Sequence, residues 1–256
     1  MIASLAMYDR PEMHAANDRF WALIRDELRS RGISAPAGLT RGDDAYWATW
    51  ESPDLVFSQT CGLPFRAKLH DHVTLVCTPD YGVAGCPPGY YRSVFVVRRE
   101  DARSFPDDFS QADFAFNEGL SQSGWAAVKA WFDARNLPLL PRLRTGSHAA
   151  SAQAVVDGKA DFAALDAVTW ELLSAATYWA KDLRVVGLSD PTPGLPYITA
   201  LGNDASLCRG AVEAAFDRLS QDDRRVLRLR GITFIPETAY LALPIPAAPD
   251  QNEQTF

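Results

Sequence analysis

The chain is 256 residues long, 47% hydrophobic and 22% charged. This ordinary globular composition excludes collagen-like, disordered and coiled-coil classes and is long enough for one large domain or two lobes. With 25 basic against 32 acidic residues and a formal charge of −7, it lacks the basic footprint of a nucleic-acid binder. A small molecule is therefore the expected target. No stretch approaches the roughly 20 uninterrupted apolar residues of a membrane-spanning helix.

The N terminus reads as structure. Met1 to Met7 is too short for a signal's apolar region and runs into Tyr8-Asp9-Arg10-Pro11, so residues 2–7 are expected to form a buried strand ending in a loop. From Ala15 to Arg31, Phe20, Trp21, Ile24 and Leu28 fall at helical spacing, with Gly32 as terminator. Strands are expected at 54–57, 73–77 and 90–97, the last being rich in aromatic and β-branched residues. A second series follows: strand 114–116, helix 125–134, strand 142–144, helix 149–157 and strand 162–165. Helix 168–179, strands 185–188 and 197–201, and a helix over 207–219 complete it, ahead of an irregular, proline-bearing tail whose last ten or so residues read as disordered. Strands interleaved with helices predict α/β architecture with mainly parallel sheets. The two series predict two lobes, residues 1–95 plus 200–256 and residues 96–199.

The informative residues sit just after strands, where open α/β sheets present their ligand edge. Ser58-Gln59-Thr60 follows one strand; Asn117 to Gly124, with Ser121 and Ser123, follows another and opens a helix. Thr145-Gly146-Ser147-His148 and Asp166 open two more. Hydroxyls and unpaired N–H groups at helix starts favour anions. Taken singly, Ser121, Ser123, Ser147 and Asp166 read equally as plain N-caps, and Tyr8 and Trp170 as packing aromatics. The recurrence of small polar groups at four successive turns is what favours binding.

Catalytic motifs are missing: there is no GxGxxG, GxxxxGK[ST] or GxSxG. His70-Asp71-His72 has no further ligand at metal spacing and reads as a surface loop, so no metal is expected. Cys61, Cys77, Cys86 and Cys208 form no CxxC pair. A Cys61 disulfide to Cys77 or Cys86 and a set of buried free thiols both stay open.

On these segments the sequence resembles the phosphate/phosphite/phosphonate substrate-binding proteins of ABC importers, which have the type II periplasmic-binding fold. The resemblance lies in Ala6 to Asp9, Pro53 to Thr60, Gly89 to Ser93, Ser121-Gln122-Ser123-Gly124, Thr145 to His148 with Ser151, Gly158 to Asp166 and Pro193 to Tyr197. It implies two Rossmann-like lobes joined by two hinge strands that close on a small oxyanion, a phosphonate or phosphate compound, without catalysis. Carried over, Ser121, Ser123, Gly124 and His148 would bind the anion from the second lobe. Tyr8 and the Ser58-Gln59-Thr60 turn would close from the first, and Asp166 would accept from an amine or hydroxyl of the ligand. A carboxylate near a phosphonate repels it unless the ligand carries a cation or proton, which favours aminoalkyl phosphonates. Trp125 would wall the pocket.

The implied partner is an ABC permease, the expected state a monomer, and no cofactor is expected. The compartment is the periplasm if a signal has been trimmed and the cytoplasm otherwise, where a solute sensor is the alternative. A second alternative is an enzyme of the thiamine-pyrimidine-synthesis type on the same fold. No lysine stands in the pocket turns, which argues against a Schiff base there.

Overall fold

The apolar opening run splits in two: strand β1 covers Ile2–Ser4, and Ala6–Tyr8 is a turn of 3-10 helix. In the computed structural model, which describes residues 1–103 and 107–249, eleven more strands follow in chain order. These are β2 (Leu55–Gln59), β3 (Val73–Asp80), β4 (Tyr90–Tyr91), β5 (Ser93–Arg98), β6 (Asp113–Phe116) and β7 (Leu140–Arg144). Then come β8 (Phe162–Asp166), β9 (Leu183–Leu188), β10 (Thr192–Pro193), β11 (Tyr197–Ala200) and β12 (Gly231–Thr233).

The chain forms two compact units. The first comprises Met1–Tyr90 and Pro193–Leu243, and the second comprises Tyr91–Thr192 and the segment from Pro244 onward. These bounds differ from the expected 95/96 and 199/200. β5 as a whole belongs to the second unit because it pairs along its length with β8 and β9, while β11 pairs with β2 and β3 of the first. Residues 244–249, expected with the first lobe, belong to the second unit. Most of the expectation for the last ten residues, 250–256, falls outside the described residues.

In the first unit the sheet runs β1-β2-β11-β3-β12, and in the second β7-β6-β8-β5-β9. Both are mixed rather than mainly parallel. β1 with β2, and β6 with β7 and β8, are parallel, whereas β11 and β5 run antiparallel to their neighbours. The reason is topological: β5 and β11 each follow a crossing from the other unit, so they are not the product of a right-handed crossover within their own sheet.

The His14–Ser30 helix buries Phe20, Trp21, Ile24 and Leu28, the stripe read from the sequence, and packs on the Ala205–Arg218 helix. Phe57, also fully buried, stacks on Trp21 at 6.2 Å. The second core is aromatic: Phe162 packs against Phe114 at 4.8 Å, Phe109 at 5.6 Å and Phe132 at 5.9 Å.

Three elements stand where the sequence read as irregular: helices Gln221–Val226 and Glu237–Leu241, and β12. The first is set by its cap and an ion pair rather than by an apolar stripe. Ser220 Oγ accepts from Asp223 N–H at 3.1 Å, and the Asp223 carboxylate takes Arg19 of the first helix from both Nε and Nη2.

Candidate functional site

In the second unit, the ends of β6, β7 and β8 and the start of antiparallel β5 lie at one edge of the sheet, so Asn117, Thr145, Asp166 and Ser93 follow from topology as neighbours. Ser93 is the cross-strand partner of Asp166. Three helices start here, each capped by a residue named from the sequence. Ser121 Oγ accepts from Gly124 N–H at 2.9 Å, Ser147 Oγ from Ala150 N–H at 3.1 Å and Asp166 Oδ1 from Thr169 N–H at 2.8 Å.

Ser123 is different. Its hydroxyl meets His148 Nε2 at 2.9 Å, and its carbonyl accepts from Ser93 Oγ at 2.8 Å, joining two helix starts to a strand. Gly124 is dictated by close approach: a Cβ there would lie 1.9 Å from Asn117 Oδ1 and 3.1 Å from His148 Cε1. Asn117 itself is held by its carbonyl, which accepts from Gly146 N–H at 2.9 Å, while its buried Oδ1 has no hydrogen-bond donor.

Ser121, Ser123 and Asp166 are each only 3% exposed. His148 keeps some solvent exposure, but its Nδ1 is enclosed and makes no hydrogen bond of good geometry. Burial lowers the His148 pKa to about 4, partly offset by the Ala164 backbone, so the ring is neutral near neutral pH. Glu118, on the same turn, is raised by burial, with Arg144 opposing the shift. The edge thus offers hydroxyls, a neutral imidazole and the first N–H groups of the helix that starts at Gln122, which suits an oxyanion.

In the first unit the named residues are used internally. Ser58 is fully buried and shares a hydrogen bond with Ser4 Oγ at 2.7 Å; Ser4 in turn donates to the Ala45 carbonyl at 2.7 Å. Thr60 is fully buried and its N–H donates to the Pro196 carbonyl at 3.1 Å. Gln59 Nε2 donates to Tyr81 Oη at 3.0 Å and to the Leu195 carbonyl at 3.2 Å.

Tyr8 packs edge-on against Tyr81 at 5.0 Å, and Tyr8, Gln59, Tyr81 and Tyr197 line a cavity of about 20 Å³. Burial holds the Tyr197 phenol well above its usual range. Sequence reasoning assigned no role to Ser93, Asn117, Tyr81 or Tyr197. The first three lie beside polar turns, but their partners are distant in the chain.

Among the described residues no group of three His, Cys, Asp or Glu side chains could hold a metal, and His70, Asp71 and His72 sit in a surface turn. None of the four cysteines is in a disulfide: Cys61, Cys77 and Cys208 are buried and Cys86 half-buried, and burial pushes the Cys77 thiol up. No described helix is long and apolar enough to cross a membrane.

Residues 54–238 match the family model described as ABC transporter, phosphonate, periplasmic substrate-binding protein. No curated protein matches. Among solved structures, XAC2383 from Xanthomonas citri, bound to chloride, is similar with a TM-score of 0.70 at 14% identity, covering 93% of this chain and 92% of that one. PhnD1 from Prochlorococcus marinus, in complex with methylphosphonate, is similar with a TM-score of 0.67 at 14% identity, covering 93% and 94%. A binding-protein component of a phosphonate ABC transporter from Pseudomonas aeruginosa has a TM-score of 0.67 at 14% identity, covering 93% and 82%. At these identities the structural likeness establishes the shared fold.

Proposed function

This chain belongs to the phosphonate periplasmic substrate-binding protein family of ABC transporters, and from that premise we propose that it binds a phosphonate or phosphate compound at the Ser121–Gly124 turn. The observation that carries this is the Ser123–His148 hydrogen bond beside a glycine that admits no side chain. A neutral imidazole can hold its proton on either nitrogen. With the proton on Nε2, the ring donates to Ser123 Oγ, and the serine hydrogen is released for a ligand oxygen. With it on Nδ1, the serine donates to the ring instead. An arriving oxyanion selects the first arrangement and gains the helix-start N–H groups and dipole as well.

Asp166 gives the finer reading: a carboxylate at the same sheet edge favours ligands that bring an amine or a proton. In the first unit Ser58, Gln59 and Thr60 all spend polar groups internally, so the anion reading rests on the second unit's turn. The family's description supports a periplasmic protein that delivers its ligand to a permease, and a monomer is the state proposed for it.

Isothermal titration of the full chain, stripped of any ligand by unfolding and refolding, with methylphosphonate, aminoethylphosphonate, phosphate, phosphite and sulfate tests the proposal. Saturable binding of a phosphorus oxyanion that Ser123→Ala weakens about tenfold supports it. No binding across the panel by folded protein rejects it. Equal discrimination between amino and plain phosphonates in wild type and Asp166→Asn rejects the finer reading alone.

A further inference from the structure

The segment that leaves the first unit after Leu243 is Pro244-Ile245-Pro246-Ala247-Ala248-Pro249. Three prolines in six residues favour an extended, unpaired backbone that loses little entropy on docking and keeps its carbonyls available as acceptors. This segment lies on the anion-site turn of the second unit. Trp125 Nε1 donates to the Ala247 carbonyl at 3.0 Å. One turn earlier, a Cβ added to Gly119 would lie 3.1 Å from Pro249 Cδ and 3.2 Å from Ala248 Cβ, so the strap uses the bare face of that glycine. The Gly119 backbone is not left-handed, so close approach rather than φ is what the glycine serves there.

Trp125 is the junction of three contacts. Its backbone N–H donates to the Ser121 carbonyl at 3.2 Å, its ring packs on Phe116 at the end of β6 at 5.7 Å, and its indole N–H holds the strap. The contacts at Gly119 and Trp125 flank the residues whose N–H groups and hydroxyls form the candidate anion site. We propose that Trp125 is a positioning residue and that the Pro244–Pro249 strap is a latch that holds the Gly119–Trp125 turn in its anion-binding geometry. The assignment of a ligand to that turn rests on the function proposed above; the latch itself does not.

Three variants of the full chain test this: removal of residues 244–256, Trp125→Phe, which keeps a ring against Phe116 but loses the donor, and Gly119→Leu, which displaces the strap. Removal of residues 250–256 is the control. Amide hydrogen exchange of Gly124 and Trp125 in ligand-free protein is the first readout, and methylphosphonate affinity well below the melting temperature is the second. Detaching the strap is expected to speed exchange at both amides and weaken binding about tenfold, and Trp125→Phe to do both about threefold, the range one hydrogen bond supplies.

Exchange that stays at the wild-type rate in Trp125→Phe and Gly119→Leu overturns the latch, whatever happens to the melting temperature. A full effect from removing 250–256 alone overturns it too. Faster exchange in a protein that binds no phosphorus oxyanion upholds the latch and rejects the proposed ligand class.

Discussion

After β6, polar residues bond to one another around a helix start; at the end of β2, which takes in Ser58 and Gln59 and stops before Thr60, residues of the same chemical kind are folded into the core. Ser121 caps, Ser123 reaches His148 and Gly124 leaves room for both, whereas Ser58 answers Ser4 beneath the sheet edge and Thr60 is tied to Pro196. The difference lies in the helix that follows. The Gln122–Asp133 helical run begins on a made cap, while the Gly62–Leu69 turn begins on Cys61, which provides no side-chain cap. A hydroxyl after a strand is therefore ambiguous until one knows whether a capped helix starts there and which distant residue it meets.

The sharpest way to break this contrast is Gly124→Ala. The added Cβ meets Asn117 Oδ1 at 1.9 Å and presses on His148. Overpacking of this kind costs about 1–3 kcal/mol, and methylphosphonate binding by calorimetry should fall roughly 100-fold. Asn117→Ala in the Gly124→Ala background should restore most of the lost stability. Simple addition of the two costs would show that the clash is not what Gly124 avoids.

His148 gives the next largest effect. Its folded pKa of about 4 lies below the ordinary 6.5, so between those values the unfolded chain binds more protons and stability rises with pH. This contribution is complete above about pH 6.5 and is lost as pH falls toward 4, by at most about 3 kcal/mol. Denaturant melts of wild type and His148→Gln across that window check it: the wild-type curve should be the steeper. Parallel curves would mean that the imidazole is not held neutral by its surroundings.

Much of this was legible in the sequence, for identifiable reasons. The apolar stripe of the first helix, the short β-rich runs and the caps Ser121, Ser147 and Asp166 are local signals, and local signals survive folding. Strand direction was not legible, because β5 and β11 carry no mark of having crossed from the other unit. Ser123 and His148 were placed at one site by the family resemblance, but their hydrogen bond to each other was not legible, since 25 residues separate them. The Gly158–Asp166 run shows both outcomes in one motif. Its last aspartate caps a helix at the candidate site, while Asp161, before the same strand, accepts from Asp113 N–H at 2.8 Å and pairs with Arg103 at 2.7 Å.

A paired substitution sharpens the comparison directly. Ser58→Ala removes one buried hydrogen bond but leaves Ser4 its Ala45 acceptor, so a stability loss of about 1 kcal/mol with unchanged affinity is expected. Ser123→Ala should do the reverse, changing affinity more than melting temperature. Loss of binding in Ser58→Ala at constant stability would place the first unit's hydroxyl at the ligand and erase the contrast.

The smallest expected effect comes from Ser147→Ala. This cap is exposed, so its loss should cost about 0.5–1 kcal/mol, the lower part of the range for caps. The turn is also held without it: Thr145 Oγ1 meets Ser151 Oγ at 2.6 Å, and Gly146 N–H donates to the Asn117 carbonyl at 2.9 Å. His148 should therefore stay against Ser123, with affinity within about twofold of wild type, a change too small to count as a lost hydrogen bond. An affinity loss as large as that of Ser123→Ala would mean that the helix start, rather than the serine, sets the imidazole. The anion would then be read by backbone N–H groups, with Ser123 serving only to hold the ring in place.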